Sequence, residues 1–451
     1  MSEVTRITEK YIEITKKDLE EHAKSAKEAN DYILNSTAKY HGRCVKALYV
    51  PKIYTEREEK LFDSLVTTIC GIFYKVMQQY EKDESYRRLF GFEQELEELI
   101  LRKPLYQVPI PIARIDIFLN EETGDFKFCE FNTDGTSAMN EDRELNIAIK
   151  KTKAYRELAK EYEFKTMELF DSWVETFLEI YHGCKNAKEY PNIVITDFME
   201  NATEMEFQIF EEHFKKHGCR TQICEIRDLK YRDGHLYTPD GMEVDAVYRR
   251  AVTSDIMAHY EEVKDFIEAI KSGDVCLIGD FRTQIAHNKI LYKILHLPQT
   301  KEFLSEEENA FVEAHVPKTY SIHDERLKTE EILSDKNHWI LKPEDSYGSK
   351  GIHAGVECED KEWKEYFLKE REDKSSTYLI QEFCTPYQSL NIDLTVDNPE
   401  FFPVYNLTGL FTYGGKFKGV YSRISKNEII STQYSEMALP TLFIKEKQNE
   451  V

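Results

Sequence analysis

Apolar residues recur at three- and four-residue steps through Leu61, Phe62, Leu65, Val66, Ile69, Ile72, Phe73, Val76 and Met77. That spacing lays one stripe along a helix, which suits a core face or an interface better than a ligand site. The first hundred residues read as helical. Over 108–118 the period shortens to two, and a second strand at 125–131 follows across a turn at Glu122-Thr123-Gly124. A helix is predicted over 155–181, with Met167, Phe170, Trp173, Val174, Phe177 and Tyr181 on one face.

Beyond it, strands at 193–195 and 221–226 flank a helix around 205–214, which predicts a parallel βαβ unit. A hairpin is predicted over 235–250, turning at Pro239-Asp240-Gly241, then a short buried strand at 275–279 and a helix at 288–295. Strands dominate the last third, at 339–342, 378–383, 403–411 and 420–424. The pattern predicts an α+β (mixed α/β) fold with a helical N-terminal region. The expected units are a helical region (1–103), a strand hairpin with helices (104–190), an α/β substrate domain (191–285) and a lid with a larger sheet (286–451).

Composition changes this picture little. Hydrophobic content of 41% is enough for a packed core. A net charge of −23 disfavours nucleic acid and leaves a cationic substrate such as a polyamine open, although acidic helix faces also explain it. No apolar run approaches a membrane span, and the N-terminus lacks the apolar segment of a secretory signal. Nine scattered cysteines, with no CxxC pair, predict neither a disulfide framework nor a zinc site, so a cytoplasmic location is expected.

Four segments carry candidate chemistry. In the first, Arg114 and Asp116 share one strand face, and Glu130 and Asn132 share another. Pairing those strands gathers three hard oxygen donors, which suit magnesium, beside a guanidinium. The Asp134-Gly-Thr-Ser137 turn adds amides and hydroxyls for an anion. The second segment, Lys342-Pro-Glu-Asp-Ser-Tyr-Gly348-Ser349-Lys-Gly351, follows an apolar strand with a glycine turn that lets amides approach phosphate, but it is not a Walker A loop. The third is the strand ending in Gln381-Glu382, which offers backbone groups to a base edge. The fourth is Arg423, which suits a phosphoryl group. Singly, these are equally a polar strand face, a plain loop, a core strand and a surface arginine.

Together, over roughly residues 104–430, they resemble the synthetase domain of glutathionylspermidine synthase and its relatives, a circularly permuted branch of the ATP-grasp ligases. The Arg-x-Asp and Glu-x-Asn strands come early, and the lysines and glycine-rich loop come late, as in that family. The resemblance implies an ATP-grasp-like, circularly permuted fold, with ATP and Mg²⁺ as cofactors. It implies an ATP-dependent ligase that joins a small-molecule or peptide carboxylate to an amine, polyamines included, through an acyl phosphate.

The resemblance also implies roles. Asp116, Glu130 and Asn132 become magnesium ligands, and Arg114 the group facing the acyl phosphate. Thr283-Gln284 and Asn288-Lys289 match a family segment that makes Lys289 a phosphate contact. Lys342 matches the Lys-Pro strand end, and Gly348, Ser349 and Gly351 the lid. Gln381 and Glu382 fall at the nucleotide, Arg423 on phosphate, and Ser137 on substrate. Tyr347, Lys350 and Arg249-Arg250 depart from the family pattern, which leaves open an acceptor that is an amino acid or a peptide terminus. A catalytically idle ATP-binding protein is the alternative of another class.

Overall fold

The computed structural model describes residues 1–446 apart from positions 41, 186, 347, 349 and 432–435. Its largest sheet is antiparallel and is assembled from both ends of the chain. Met437–Leu439, Lys416–Ser425, Phe401–Tyr413, Ile112–Leu119 and Phe126–Asn132 lie side by side in that order, and Gln388–Ile392 also pairs with Phe401–Tyr413. The two early strands form the predicted hairpin, and their free flank is closed by Phe401–Tyr413, about 300 residues later. Alternation explains the sidedness: Ala113, Ile115, Ile117 and Leu119 are buried on one face, while Arg114 and Asp116 stand on the other.

The buried face packs on the long helix Glu56–Lys82. Its start is fixed by a capping box, in which Thr55 and Glu58 exchange side chain-to-backbone bonds. Phe62, Leu65, Val66, Ile69, Ile72, Phe73, Val76 and Met77 are all buried. Phe73 meets Phe131 edge-on at 4.8 Å between ring centres, and Phe62 meets Phe417 at 5.5 Å. Each fully buried side chain of this kind contributes roughly 1.5–3 kcal/mol. The stripe is therefore covered by the chain's own sheet, not held for a partner.

A second sheet is parallel, in the order Cys276–Ile278, Ala246–Arg249, Asn192–Asp197 and Arg220–Glu225. The βαβ unit is as predicted, its helix spanning Glu204–Lys216. The 235–250 hairpin is so only in part: its turn at Pro239-Asp240-Gly241 forms, with Thr238 N–H donating to Met242 O at 3.0 Å and Tyr237 bridging Glu243 antiparallel, but the return does not continue to 250. His235–Tyr237 turns back on Lys230–Arg232 through Asp233-Gly234, both at positive φ, while Ala246–Arg249 leaves to join the parallel sheet. Burial explains the difference. Ala246, Val247, Tyr248 and Arg249 are all buried, as a two-sided parallel strand requires, whereas His235 is exposed. The single helix over 155–181 is also overturned. Lys153–Leu158 and Asp171–His182 are helical, but Tyr162–Lys165 is a strand paired with Thr441–Glu446. Tertiary pairing outweighs local helical pattern there.

A small antiparallel sheet, ordered Thr319–Ser321, Tyr378–Glu382, Trp339–Pro343, His353–Ala354, forms a lobe with its own core around Leu341, Trp363, Phe367 and Ile380. Among the described residues no helix is long and apolar enough to cross a membrane.

Candidate active site

The three sheets meet around one cavity of about 610 Å³. Its floor is the polar face of the antiparallel sheet, its roof the small lobe, and one wall the carboxyl ends of the parallel strands.

The floor is built by register. Arg114 lies opposite Asn132 and Asp116 opposite Glu130, and the four side chains line the cavity together. A β-bulge makes this possible. Asp116 pairs with Glu130 but Ile117 pairs with Phe128, so Cys129 is the extra residue. Phe128 and Phe131 thus both turn into the core although they are three residues apart. Without the bulge, the alternation that buries Phe126 and Phe128 would also bury Glu130.

Asp116 is fully buried and organises two arginines. Its Oδ1 accepts from Arg114 Nε at 2.9 Å, and its Oδ2 accepts from Asn132 Nδ2 at 3.0 Å and from Arg423 Nη2. Arg114 Nη1 also donates to the Ser137 carbonyl at 3.0 Å, tying the floor to the 134–137 turn. Arg423 Nη1 lies 3.7 Å from Glu436. Glu130 is half-buried, and Lys289 Nζ sits 2.9 Å from its Oε1. Burial raises the Glu130 carboxyl, but the Lys289 charge and hydrogen bond, with His287 and Lys342 beyond, lower it more, to about 2. Glu130 is therefore ionised at any working pH.

Lys289 also reaches the roof. Its Nζ donates to the Ser346 carbonyl at 2.7 Å, and its backbone N–H to Glu344 O at 3.0 Å. Lys342 Nζ donates to Gln381 Oε1 at 2.8 Å, and Gln381 Nε2 passes the chain to Thr319 at 2.8 Å. Gly348 and Gly351 of the loop are at φ +64° and +73°; at Gly351 a Cβ would also meet the Tyr378 hydroxyl at 2.6 Å. Ser349 lies outside the described residues. The strand end offers less backbone than its sequence promises: Glu382 N–H donates to Lys318 O at 2.9 Å and Phe383 N–H to His338 O at 2.8 Å. Both residues border the cavity, but strand alternation separates their side chains: Gln381 turns to Lys342, and the Glu382 carboxylate accepts from Lys318 N–H at 3.1 Å.

The donor set fits magnesium. Asp116 and Glu130 supply carboxylate oxygen and Asn132 an amide oxygen. Among the described residues no group of three His, Cys, Asp or Glu stands ready as a metal cage. An ion held by one or two carboxylates and completed by phosphate and water needs no such cage. Asp116 Oδ2 already accepts from Asn132, Arg423 and, at 3.5 Å, Arg114 Nη2, whereas Oδ1 accepts only from Arg114 Nε, so the lone pair left for an ion is on Oδ1.

Two features of the floor escape a reading of the sequence for motifs. Gly409 lies opposite Asp116, where a Cβ would stand 2.8 Å from both Arg114 Cδ and Asp116 Oδ1. A glycine inside a strand is the signal that could have found it. Gly409→Ala should keep the sheet but push both groups aside and lower turnover roughly tenfold or more; circular dichroism and steady-state kinetics check the two halves. The second is the buried Asp134–Arg249 pair at 2.6 Å, with Thr253 N–H donating to Asp134 at 2.7 Å. It anchors the 134–137 turn to the parallel sheet. Arg249→Met leaves that carboxylate unpaired and should destabilise the chain by about 3–5 kcal/mol, read as a lowered denaturant midpoint.

Residues 96–381 match a family model described as a circularly permuted ATPgrasp. An uncharacterized protein of Mycobacterium leprae (strain TN) is 23% identical over 278 residues, covering 60% of this chain and 47% of that protein. One from Mycobacterium tuberculosis (strain ATCC 25618 / H37Rv) is 24% identical over 281 residues, covering 60% and 48%. The chain thus spans about half the length of these curated relatives. Among solved structures, a glutathione synthetase-like effector from Globodera pallida, in apo form, superposes with a TM-score of 0.62 at 11% identity, covering 93% of this chain and 96% of that one. At that identity the likeness is one of fold.

Proposed function

The chain belongs to the circularly permuted ATP-grasp family, and from that premise we propose that it is an ATP-dependent carboxylate–amine ligase working through an acyl phosphate. The observation that carries this reading is the floor itself: Arg114, Asp116, Asn132 and Arg423 bonded into one network beside the Glu130–Lys289 pair, under a lobe bearing Lys342.

A carboxylate is a poor acyl donor because its leaving group is oxide, and phosphorylation replaces that with a good one. Magnesium, when bound at Asp116, Glu130 and Asn132, neutralises phosphate charge. Lys289, Lys342 and Arg423 hold the phosphates and the transferring group by charge. Arg114, fixed by Asp116 and Ser137, faces the oxyanion that forms when the amine attacks. The loop carrying Gly348, Ser349 and Gly351 excludes water that would hydrolyse the intermediate. Gln381 and Glu382 lie at the nucleotide end, and Ser137 on the substrate side.

The hairpin motifs and late lysines resemble those of glutathionylspermidine synthase, so glutathione with spermidine is the first pair to test. ADP release from Mg-ATP is measured against a panel of acids and amines, with mass spectrometry of the product. Stimulation by one pair with a new amide establishes the ligase. Tight ATP binding with no stimulation by any pair overturns it in favour of an idle nucleotide-binding protein.

A further inference from the structure

The cysteines are scattered in sequence, but two of them meet in space. Cys184 Sγ and Cys276 Sγ lie 2.9 Å apart although 92 positions separate them, and among the described residues no other two cysteine sulfurs are paired. Neither residue lines the cavity. Cys184 follows the helix Asp171–His182, and its N–H donates to Tyr181 O at 2.8 Å. Cys276 opens Cys276–Ile278, the edge strand of the parallel sheet, and its N–H donates to Asp245 O at 3.1 Å. Both side chains belong to the core shared by that helix and sheet.

A buried cysteine used only for packing acts as a small hydrophobe and has no need of a second thiol. A disulfide holds its sulfurs at about 2.05 Å, so this pair stands within a shift on the order of 1 Å of bonding. Backbone hydrogen bonds already fix both ends, so closure requires little further ordering of the chain. The two sulfurs are not equivalent. With Cys276 donating the hydrogen bond, the Cys184 thiol is lowered, against the effect of its burial. The same bond, together with burial, pushes the Cys276 thiol well up. Cys184 is also the more exposed, at 9% against 3%. Cys184 is therefore the sulfur that ionises and meets a reagent first.

We propose that Cys184 and Cys276 form a reversible disulfide site, closed by exchange with a low-molecular-weight disulfide of the glutathione type. The Cys184 thiolate attacks one sulfur of the reagent, which forms a mixed disulfide and releases one thiolate. Cys276 then gives up its proton and attacks the Cys184 sulfur. The internal bond forms, and the second reagent thiolate leaves. Two protein thiols are thereby oxidised, and one reagent disulfide is reduced to two thiols. The loop so closed contains Asn192–Asp197, Arg220–Glu225 and Ala246–Arg249, the other three strands of the parallel sheet. The bond staples that sheet as a unit, chiefly by constraining the unfolded chain. In a reducing compartment the pair remains two thiols and the staple is open.

The test incubates the folded full chain in buffers of graded reduced and oxidised glutathione. Remaining thiols are alkylated, and a non-reducing digest is read by mass spectrometry. A peptide holding Cys184 should appear joined to one holding Cys276, and dithiothreitol should release it. In moderate denaturant the oxidised chain should survive protease roughly tenfold longer or more than the reduced chain. Cys276→Ser should stop at glutathione on Cys184, whereas Cys184→Ser should leave Cys276 a free thiol. Binding of an ATP analogue controls for folding; if either variant does not fold, the cross-link in the unaltered chain decides. Two alkylated thiols in the most oxidising buffer overturn the proposal, and so does a cross-link that forms only after denaturation.

Discussion

Glu130→Ala should abolish Mg-dependent ATP turnover, a loss of roughly 10²–10⁴-fold, while leaving the fold intact. The side chain is half-buried and is no part of the hydrophobic core, so its loss opens no core cavity. Its carboxyl titrates at about 2, and Lys289 sits 2.9 Å away. The residue therefore has two possible uses, as a metal ligand and as a tether for the lysine that holds the lid loop. Glu130→Gln separates them, because an amide oxygen still accepts from Lys289 but carries no charge. ADP release measured against magnesium concentration decides. Normal turnover in the alanine variant refutes the metal assignment. Recovery in the glutamine variant alone reduces Glu130 to a tether.

Arg114→Ala should cripple ligation by roughly 10²–10³-fold while ATP affinity changes little, since in the proposed reading Lys289 and Lys342 hold the nucleotide end. Asp116 keeps Asn132 and Arg423 as partners after the change, so the floor is not left with an uncompensated buried carboxylate. Arg114→Lys should not restore activity. A single ammonium cannot hold the Asp116 carboxylate and the Ser137 carbonyl in one plane as the guanidinium fork does. Amide formation followed by mass spectrometry, beside ATP binding by calorimetry, checks both halves, and unchanged ligation in Arg114→Ala removes the proposed role.

Both predictions concern residues that the sequence pattern itself marks. Strand alternation puts Arg114 with Asp116, and Glu130 with Asn132, and a short turn joins the two segments. The parallel-sheet end of the cavity is much less legible. Asp197, Glu141, Asp255 and Arg250 come from separate elements spread over more than a hundred residues, and no spacing rule links them. Arg250 stands out in the sequence only as a departure from a family pattern.

What the sequence determined by itself is therefore what local periodicity encodes. The buried stripe of Glu56–Lys82, the βαβ unit and the four polar residues of the hairpin depend on which side chains share a face, and backbone geometry sets that. Tertiary structure alone decided which strands meet. Whether Ala246–Arg249 folds back on its neighbour or joins a parallel sheet depends on burial supplied by distant segments. The bulge at Cys129 settles which of two alternations survives, and Gly409 matters only because a strand about 300 residues away in sequence brings it against Arg114 and Asp116. Long-range pairing is a competition among all available edges, and its outcome is not contained in any short window of the chain.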